Sequence, residues 1–451
     1  MNIIVKKGYD LELVGAPAKT LKNVKTGSTL KIFLSDFPGL KPKLLISSDD
    51  ILKKGATLFV DKSNPNICFT TPVSCIVKEI KLGPRRVLEY ISLSLQENND
   101  KIVFDNYSLN EILLLDKKLI TNILCKSGLW TTIRTRPFSR IAKPGNEPKA
   151  IFISTMSSAP FAVDLEVLLD NVQKDSIQAG INAISKLTRG SINLCSPSYS
   201  PNPKLDTLDL VKHHTFSGPH PAGNVGVHIS NIDPIKNKDD FVWYISIQDV
   251  VQIGELFLKG ETNYEKIITV AGSAVENRQH FKVIRGTLIS QILSDNNFEN
   301  SSRIISGDIL SGNKSDTNKS LGYYHEALTI IPNSDKRKFM GWISPGFSKF
   351  SFSYTFLSKI MPKKKWSLNT LKNGSLRAIV PIGAIEKVLP LKILPTMLIK
   401  SIIAFDIENM EELGIYECSP EDFALCSFVD ASKMDISSII QQGLDYAEVE
   451  G

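Results

Sequence analysis

Residues 241–270 read FVWYISIQDVVQIGELFLKGETNYEKIITV. Phe241–Ile247 is a mainly apolar run of strand length. Asp249–Lys259 carries apolar residues at helical spacing and is closed by Gly260. Lys266–Val270 is a second β-branched run. A strand, a helix and a strand in such close succession are the signature of an α/β layer.

The same alternation extends towards the N-terminus. Ala150–Ser154 reads as a buried strand, and helices are expected around Val163–Gln173 and Ser176–Thr188. In the second of these Ile177, Ile181 and Ile184 share a face and Gly190 is the stop; a strand follows at Ser191–Cys195. Residues 149–272 therefore predict a mainly parallel sheet, a central Rossmann-like α/β domain. None of its strand-to-helix turns carries G-x-G-x-x-G, so a dinucleotide site has no support.

Between these strands lies HHTFSGPHPAGNVGVHISNIDPI, residues 213–235, with four of the six histidines of the chain. Pro219, Pro221 and three glycines argue against a regular helix and for a shaped loop. Gly218 and Gly223 have P-loop spacing, but Asn224 and Val225 stand where Lys and Ser/Thr are needed to hold phosphate and magnesium. Four imidazoles are enough donors for a metal, yet the spacing fits no usual ligand pattern, and adjacent histidines such as His213 and His214 tend to point apart. A rigid turn with polar histidines is the default, and a site for an organic ligand with His220 as donor stays open.

Residues 1–100 are rich in short β segments: Lys43–Ile46, Thr57–Val60, Ile67–Thr70 and Ile76–Ile80. Their order resembles a lipoyl/biotinyl-type β-sandwich, in which a hairpin lysine carries the cofactor. Here Lys62 is followed by the longer turn Ser63-Asn64-Pro65-Asn66, and Cys75 replaces a glycine, so the domain reads as a carrier fold without the carrier function. Residues 101–264 then form the α/β domain. It opens with a helix over 108–127, started by the Ser108/Glu111 capping box and ended at Gly128. Beyond it, Trp130, Arg134, Arg136 and Phe138 make a cationic, aromatic segment, either a helix-to-strand connection anchored by Trp130 or a site for a planar or anionic ligand. Residues 265–375 predict a small β-rich, β-grasp-like module with a polar, mobile loop at Gly312–Gly322. Residues 376–451 predict a helical region, with Ser419 as N-cap and Pro420 at the first helical position.

The totals exclude several classes. A chain of 451 residues suits about three domains. A net charge of +6, from 53 basic and 47 acidic residues, is too weak an excess to argue for nucleic acid. The basic runs Lys336-Arg337-Lys338 and Lys363-Lys364-Lys365 suit either solvent or an anionic surface. The six cysteines form no C-x-x-C pair, which leaves iron–sulfur and structural zinc patterns absent and favours a reduced, cytoplasmic setting. The start is strand-like rather than a signal peptide, and no apolar run has the length of a membrane span; the closest, Lys392–Phe405, is broken by Pro395 and Lys400.

Several strings together resemble a known family. They are Gly8-Tyr9-Asp10-Leu11 with Gly15-Ala16-Pro17, Ser127-Gly128-Leu129-Trp130-Thr131 with Arg134-Thr135-Arg136-Pro137-Phe138, Phe216-Ser217-Gly218-Pro219-His220-Pro221-Ala222-Gly223, and Val380-Pro381-Ile382-Gly383 with Leu394-Pro395-Thr396. On these the chain resembles, from end to end, the NqrA family of subunits of the sodium-translocating NADH:quinone reductase. The resemblance implies a peripheral subunit on the cytoplasmic side of the membrane, docked on the other subunits (NqrB to NqrF), chiefly one that spans the membrane. The whole complex would oxidise NADH, reduce ubiquinone and export Na+. Flavins and the iron–sulfur centre would belong to partner subunits, and this chain would bind no cofactor or metal of its own and have no catalytic residue.

That family is similar in architecture to the flavin-bearing subunit of respiratory complex I. In those relatives a helix ending in SGL leads into a glycine-rich loop that cradles the flavin phosphate. Here Ser127-Gly128-Leu129 leads into Trp130, Ile133 and Phe138, which put bulk where backbone amides would approach a phosphate. Asp430 stands where the relatives would have a further cysteine near Cys426. Two expectations follow. Either the chain binds quinone at the quinone-reduction end, with Trp130, Phe138 and Arg134 or Arg136 as candidates and Phe216 with His220 as a second pair, or it is a purely structural docking subunit.

Overall fold

The computed structural model describes residues 1–451 apart from 26, 99, 200, 300, 335–338, 342, 348 and 361–363. The run Lys336-Arg337-Lys338, and Lys363 of the second basic run, lie outside the described residues.

The centre is a six-stranded sheet in the order Asn2–Ile4, Lys212–Ser217, Ser191–Pro197, Ala150–Ser154, Val242–Ser246, Arg134–Arg136. Every neighbouring pair is parallel except the last, where Arg134–Arg136 runs antiparallel as an edge. The inner strands Ala150–Ser154 and Val242–Ser246 are largely apolar because both faces are covered, whereas Lys212–Ser217 and the edge Arg134–Arg136 are polar. Ile151, Ile153, Leu194, Trp243 and Ile245 face one core, shared with the N-terminal module. Phe152, Phe216, Val242 and Tyr244 face a second, shared with the C-terminal helices. Over the first face cross Lys174–Ser185 and Ile247–Lys259, meeting through glycines: a Cβ on Gly254 would lie 1.8 Å from the Ser176 carbonyl oxygen, and one on Gly180 2.1 Å from that of Val250. Only hydrogen at those two positions allows so close a crossing.

A second six-stranded sheet has the order Asn313–Ser315, Arg303–Ser306, Ala327–Ile331, Glu265–Ala271, Gln279–Ile284, Ala18–Asn23. The N-terminal module pairs a four-stranded sheet (Thr29–Phe33, Leu88–Leu95, Cys75–Leu82, Ile51–Leu52) with a three-stranded one (Pro42–Leu44, Thr57–Asp61, Cys68–Thr70). Lys62 is exposed on the turn after Thr57–Asp61. The C-terminal helices include Ala384–Val388, Pro395–Ile403, Ala424–Val429 and Ile436–Glu450.

Five local expectations change. First, Lys266–Val270 leaves the central layer and becomes part of the second sheet. Helix Ile247–Lys259 spans the two: the Gln248 side chain donates to Ile267 O (3.0 Å) and accepts from Ile267 N–H (2.8 Å), so a side-chain amide supplies the hydrogen bonds of a missing strand neighbour. Second, 213–235 is not one loop. His213 and His214 lie on strand Lys212–Ser217, and His228 on helix Val225–Ile232, because the prolines and Gly218 crowd into 218–224 and leave 225–232 free to coil. Third, the single helix over 108–127 is two. Leu109–Ile112 keeps the Ser108/Glu111 capping box, but Asp116 caps a fresh start for Lys117–Ser127. Fourth, Gly190 is not the helix stop: Lys174–Ser185 ends at the Lys186 cap. Fifth, Gly312–Gly322 is not all loop, since Asn313–Ser315 pairs with Arg303–Ser306 and the carbonyls of Thr317 and Lys319 accept from Ser290 and Ile289.

Candidate functional site

Helix Lys117–Ser127 points its C-terminus at the N-terminal module. Gly128 ends it in the left-handed region (φ 80°), and a Cβ there would lie 2.3 Å from Thr70 Oγ1. The close approach forms a node of hydroxyls. Thr70 Oγ1 and Tyr264 OH are 2.5 Å apart, and both lie within donating distance of the Ser127 carbonyl, at 3.1 and 2.9 Å. One residue further into the turn, Thr131 Oγ1 donates to the Gly128 carbonyl (2.8 Å) and meets Tyr323 OH at 2.9 Å.

Around this node lies a narrow cleft of about 30 Å³. Its walls come from three modules: Asp36, Phe37 and Phe69 from the N-terminal sheets, Gly128 and Thr131 from the helix end, and Arg285, Leu321 and Tyr323 from the second sheet and its loops. Phe37 meets Phe69 and Tyr323 with ring centroids 4.9 Å apart in each case, so one aromatic wall runs across the module boundary. The Arg285 guanidinium lies 4.3 Å over the Tyr323 ring, pairs with buried Asp249, and donates to Tyr323 O at 3.3 Å. Its Nε is buried and unpartnered. A small pocket of about 20 Å³ shares Arg285 and Tyr323 with the cleft and is lined by Lys266 and His325. Burial pushes His325 down to about 4 and raises Asp36 to about 6. The aromatic walls and the few polar groups are of the kind that line sites for small planar organic ligands, and a ring would enter only as the side chains part.

Most residues expected to bind a ligand lie elsewhere. Trp130 is a core residue, wholly buried, with Nε1 donating to Ala142 O at 2.7 Å and its ring edge-on to Trp243 at 5.5 Å. Arg134 is half-buried between the rings of Tyr244 (4.5 Å) and Tyr324 (4.4 Å), and Tyr324 adjoins Tyr323 of the cleft. Arg136 is 1% exposed and faces the C-terminal layer, as does Phe138, whose ring meets Tyr416 edge-on. Phe216 is fully buried against His228.

His220 donates its backbone N–H to Asp10 Oδ1, its Nδ1 meets Ser158 Oγ at 3.1 Å, and its buried Nε2 is unpartnered. His213 and His214 do turn to opposite partners, Leu208 O and Asn193 Oδ1. The arginine segment and the histidine turn do not touch one ligand space. They meet instead at Asp422, which receives both Arg136 and the Asn224 amide. The cleft residues escaped notice in the sequence because Asp36, Thr70, Gly128 and Arg285 are single residues from distant segments. The one available signal was Gly128 itself, a helix stop next to a polar turn.

Comparison with known proteins now bears on these features. Three family models match: the NqrA N-terminal barrel-sandwich hybrid domain over residues 3–96, the NqrA second alpha/beta domain over 115–262, and the NQRA C-terminal domain over 267–317. The corresponding Na(+)-translocating NADH-quinone reductase subunit of Pasteurella multocida is 35% identical over 452 residues, covering all of both chains. That of Haemophilus influenzae (strain PittGG) is 37% identical, and that of Aliivibrio salmonicida 35%, again with full coverage of both. The chain belongs to the NqrA family of the Na+-translocating NADH-quinone reductase.

As an NqrA subunit, it is part of a multisubunit translocase, and its N-terminal module is a barrel-sandwich hybrid. A solved NAD+-reducing hydrogenase shows a slight likeness, with TM-score 0.40 and 10% identity over 76% of this chain and 63% of that one; it carries no argument. Among the described residues no helix is long and apolar enough to cross a membrane, and no group of three or more His, Cys, Asp or Glu is arranged to hold a metal ion. Asp430 accepts from the Ser432 and Met434 amides and closes a turn.

Proposed function

We propose that this NqrA subunit works at the quinone-reduction end of its complex by holding the ubiquinone headgroup in the cleft between Phe37, Phe69, Thr131 and Tyr323. The supporting observation is a cleft walled by the rings of Phe37, Phe69 and Tyr323 with a cationic donor, Arg285, whose Nε has no protein partner among the described residues. A quinone ring stacks on such walls and its carbonyls accept from such a donor. The cleft replaces the arginine segment as the preferred place, because Trp130 and Arg136 are already committed inside the fold. On this reading the flavins and the iron–sulfur centre sit in partner subunits, and the chain is peripheral, on the cytoplasmic side, docked on a membrane-spanning partner in a complex that exports Na+.

Titration of the purified chain with a short-chain ubiquinone, followed by tryptophan fluorescence, tests the reading. Saturable quenching is expected, weakened about tenfold in Phe37→Ala, as loss of a good aromatic contact of ~1.5 kcal/mol requires. Phe138→Ala is the control and should bind as the unaltered chain does. Equal binding by both variants would remove the ligand from the cleft.

A structural docking role has its own support. Leu394, Met397, Ile403 and Phe405, on and beside helix Pro395–Ile403, are each about half exposed or more. Apolar residues gathered there suit a partner subunit. If the chain binds no quinone while substitutions on this face release it from the complex, docking is its role.

A further inference from the structure

Reduction of a quinone to a quinol takes two electrons and two protons, so a site that performs it needs a proton source at a quinone oxygen. The cleft has few groups able to serve. Thr70 and Tyr264 share their protons between each other and the Ser127 carbonyl. Burial also holds Tyr264 up to about 12, out of range for proton release near neutrality. Thr131 donates to the Gly128 carbonyl and lies against Tyr323 OH. Arg285 can donate a hydrogen bond but does not give up a proton. Lys31 Nζ bonds the Asn318 carbonyl and sits over the Tyr90 ring.

Asp36 differs from all of these. It ends the short turn Leu34–Asp36 and lines the cleft beside Phe37. Its Oδ2 accepts from the Tyr323 N–H at 3.1 Å, while the other oxygen has no protein partner among the described residues. No Lys, Arg or His nitrogen among the described residues lies within salt-bridge distance of it, since the nearby Arg285 is turned to Asp249. An unpaired carboxyl in an aromatic wall, held by one oxygen with the other free, is a group placed to carry a proton to a ligand.

We propose that Asp36 is the proton donor to the quinone bound in this cleft, a catalytic residue for the quinone half-reaction. The inference rests on the quinone reading above. Electrons reach the quinone from NADH through the complex for which the relatives are named. The Asp36 O–H bond breaks as an O–H bond forms on one reduced quinone oxygen, leaving the carboxylate. Water at the open mouth returns a proton to Asp36, and the second quinol proton comes from solvent.

The charged and titratable groups facing Asp36 are Lys31 on the neighbouring strand, Arg285 and Lys319 from the second module, and the phenols of Tyr264 and Tyr323. Burial outweighs the pull of Lys319 and places the carboxyl near 6, close enough to neutrality to gain and lose a proton in each turnover.

The test uses the assembled complex carrying Asp36→Asn or Asp36→Glu, with NADH-driven ubiquinone reduction measured across pH 5 to 9. Asp36→Asn is expected to lower kcat about 100-fold with KM for quinone little changed, and to lose an ionisation near 6 from the profile. Asp36→Glu should recover much of the rate with that ionisation displaced. An unchanged kcat and profile in Asp36→Asn would overturn the proposal, as would a raised KM with unchanged kcat, which would make Asp36 part of the wall only. Failure of the unaltered chain to bind quinone is a separate outcome, read in the titration, and would remove the site and this inference together.

Discussion

Arg136 and Asp422 face each other across the buried junction between the central sheet and the C-terminal layer, with Nη1 3.4 Å from Oδ2 and side chains 1% and 0% exposed. Glu421 takes the shorter contact with the same guanidinium at 2.6 Å, and the Asn224 amide completes the Asp422 carboxylate at 3.2 Å. One arginine on an edge strand therefore fastens a segment that follows it by nearly three hundred residues. Truncating Arg136→Ala leaves Asp422 buried and unpaired, which should cost about 3–5 kcal/mol. Arg136→Lys should not rescue it, because a point charge cannot reach both carboxylates as the planar fork does. Adding Asp422→Asn to Arg136→Ala should restore part of the loss. Thermal melting, with proteolysis of residues 420–451 as a local probe, checks all three.

The pH dependence of stability has a sign that follows from burial. His214, His220, His228 and His325 are all held below their ordinary range, His228 at about 3 and His325 at about 4, each chiefly by burial. The unfolded chain takes up those protons near 6.5 and the folded chain refuses them, so stability present above 6.5 is lost as pH falls. Asp36 and Asp422, both raised to about 6, and Glu417, also raised, act the other way: they favour the fold at low pH and lose that contribution as pH rises through their folded values. Four histidines outweigh three carboxyls, so melting temperature should fall between pH 6.5 and 4. Asp422→Asn should steepen that fall, and His228→Gln should flatten it if the amide fits.

Trp130 is predicted to matter for folding and not for ligand affinity. Trp130→Phe keeps an aromatic ring against Trp243 but strands the buried Ala142 carbonyl, a cost of about 1–3 kcal/mol. Its melting temperature should drop while ubiquinone titration gives the unaltered affinity.

Gly128→Ala should affect both. The new methyl group would sit against Thr70 Oγ1 in a left-handed backbone, costing about 1–2 kcal/mol in conformation alone and forcing the cleft wall to move. Reduced stability together with weaker quinone binding is expected. Weaker stability with intact binding would place the ligand away from this turn.

Much of the chain was legible one segment at a time. The strands at Ala150–Ser154 and Val242–Ser246 show themselves as apolar runs because the sheet is buried on both faces, and Ser108 with Glu111 declares its cap. Family membership was also legible, because long strings in glycine- and proline-rich places match end to end. The candidate site was not. Trp130 and the Arg134–Phe138 segment were conspicuous by residue type, yet their partners had already claimed them: Ala142 and Trp243 for Trp130, Tyr244 and Tyr324 for Arg134, Glu421 and Asp422 for Arg136.

The sequence by itself determined the α/β character of the centre, the β-rich first hundred residues, the helical end and the family, since each depends on local periodicity, caps and turns or on contiguous strings. Only the tertiary structure decided that Asn2–Ile4 closes the edge of a sheet beside Thr215–Ser217, that Glu265–Ala271 leaves that sheet for another, and that Asp36, Thr70, Gly128, Arg285 and Tyr323 share one cleft. Period-two and period-3.6 patterns report which face of an element is apolar. They carry nothing about which distant element will cover it, and a site assembled from single residues of three modules has no period at all.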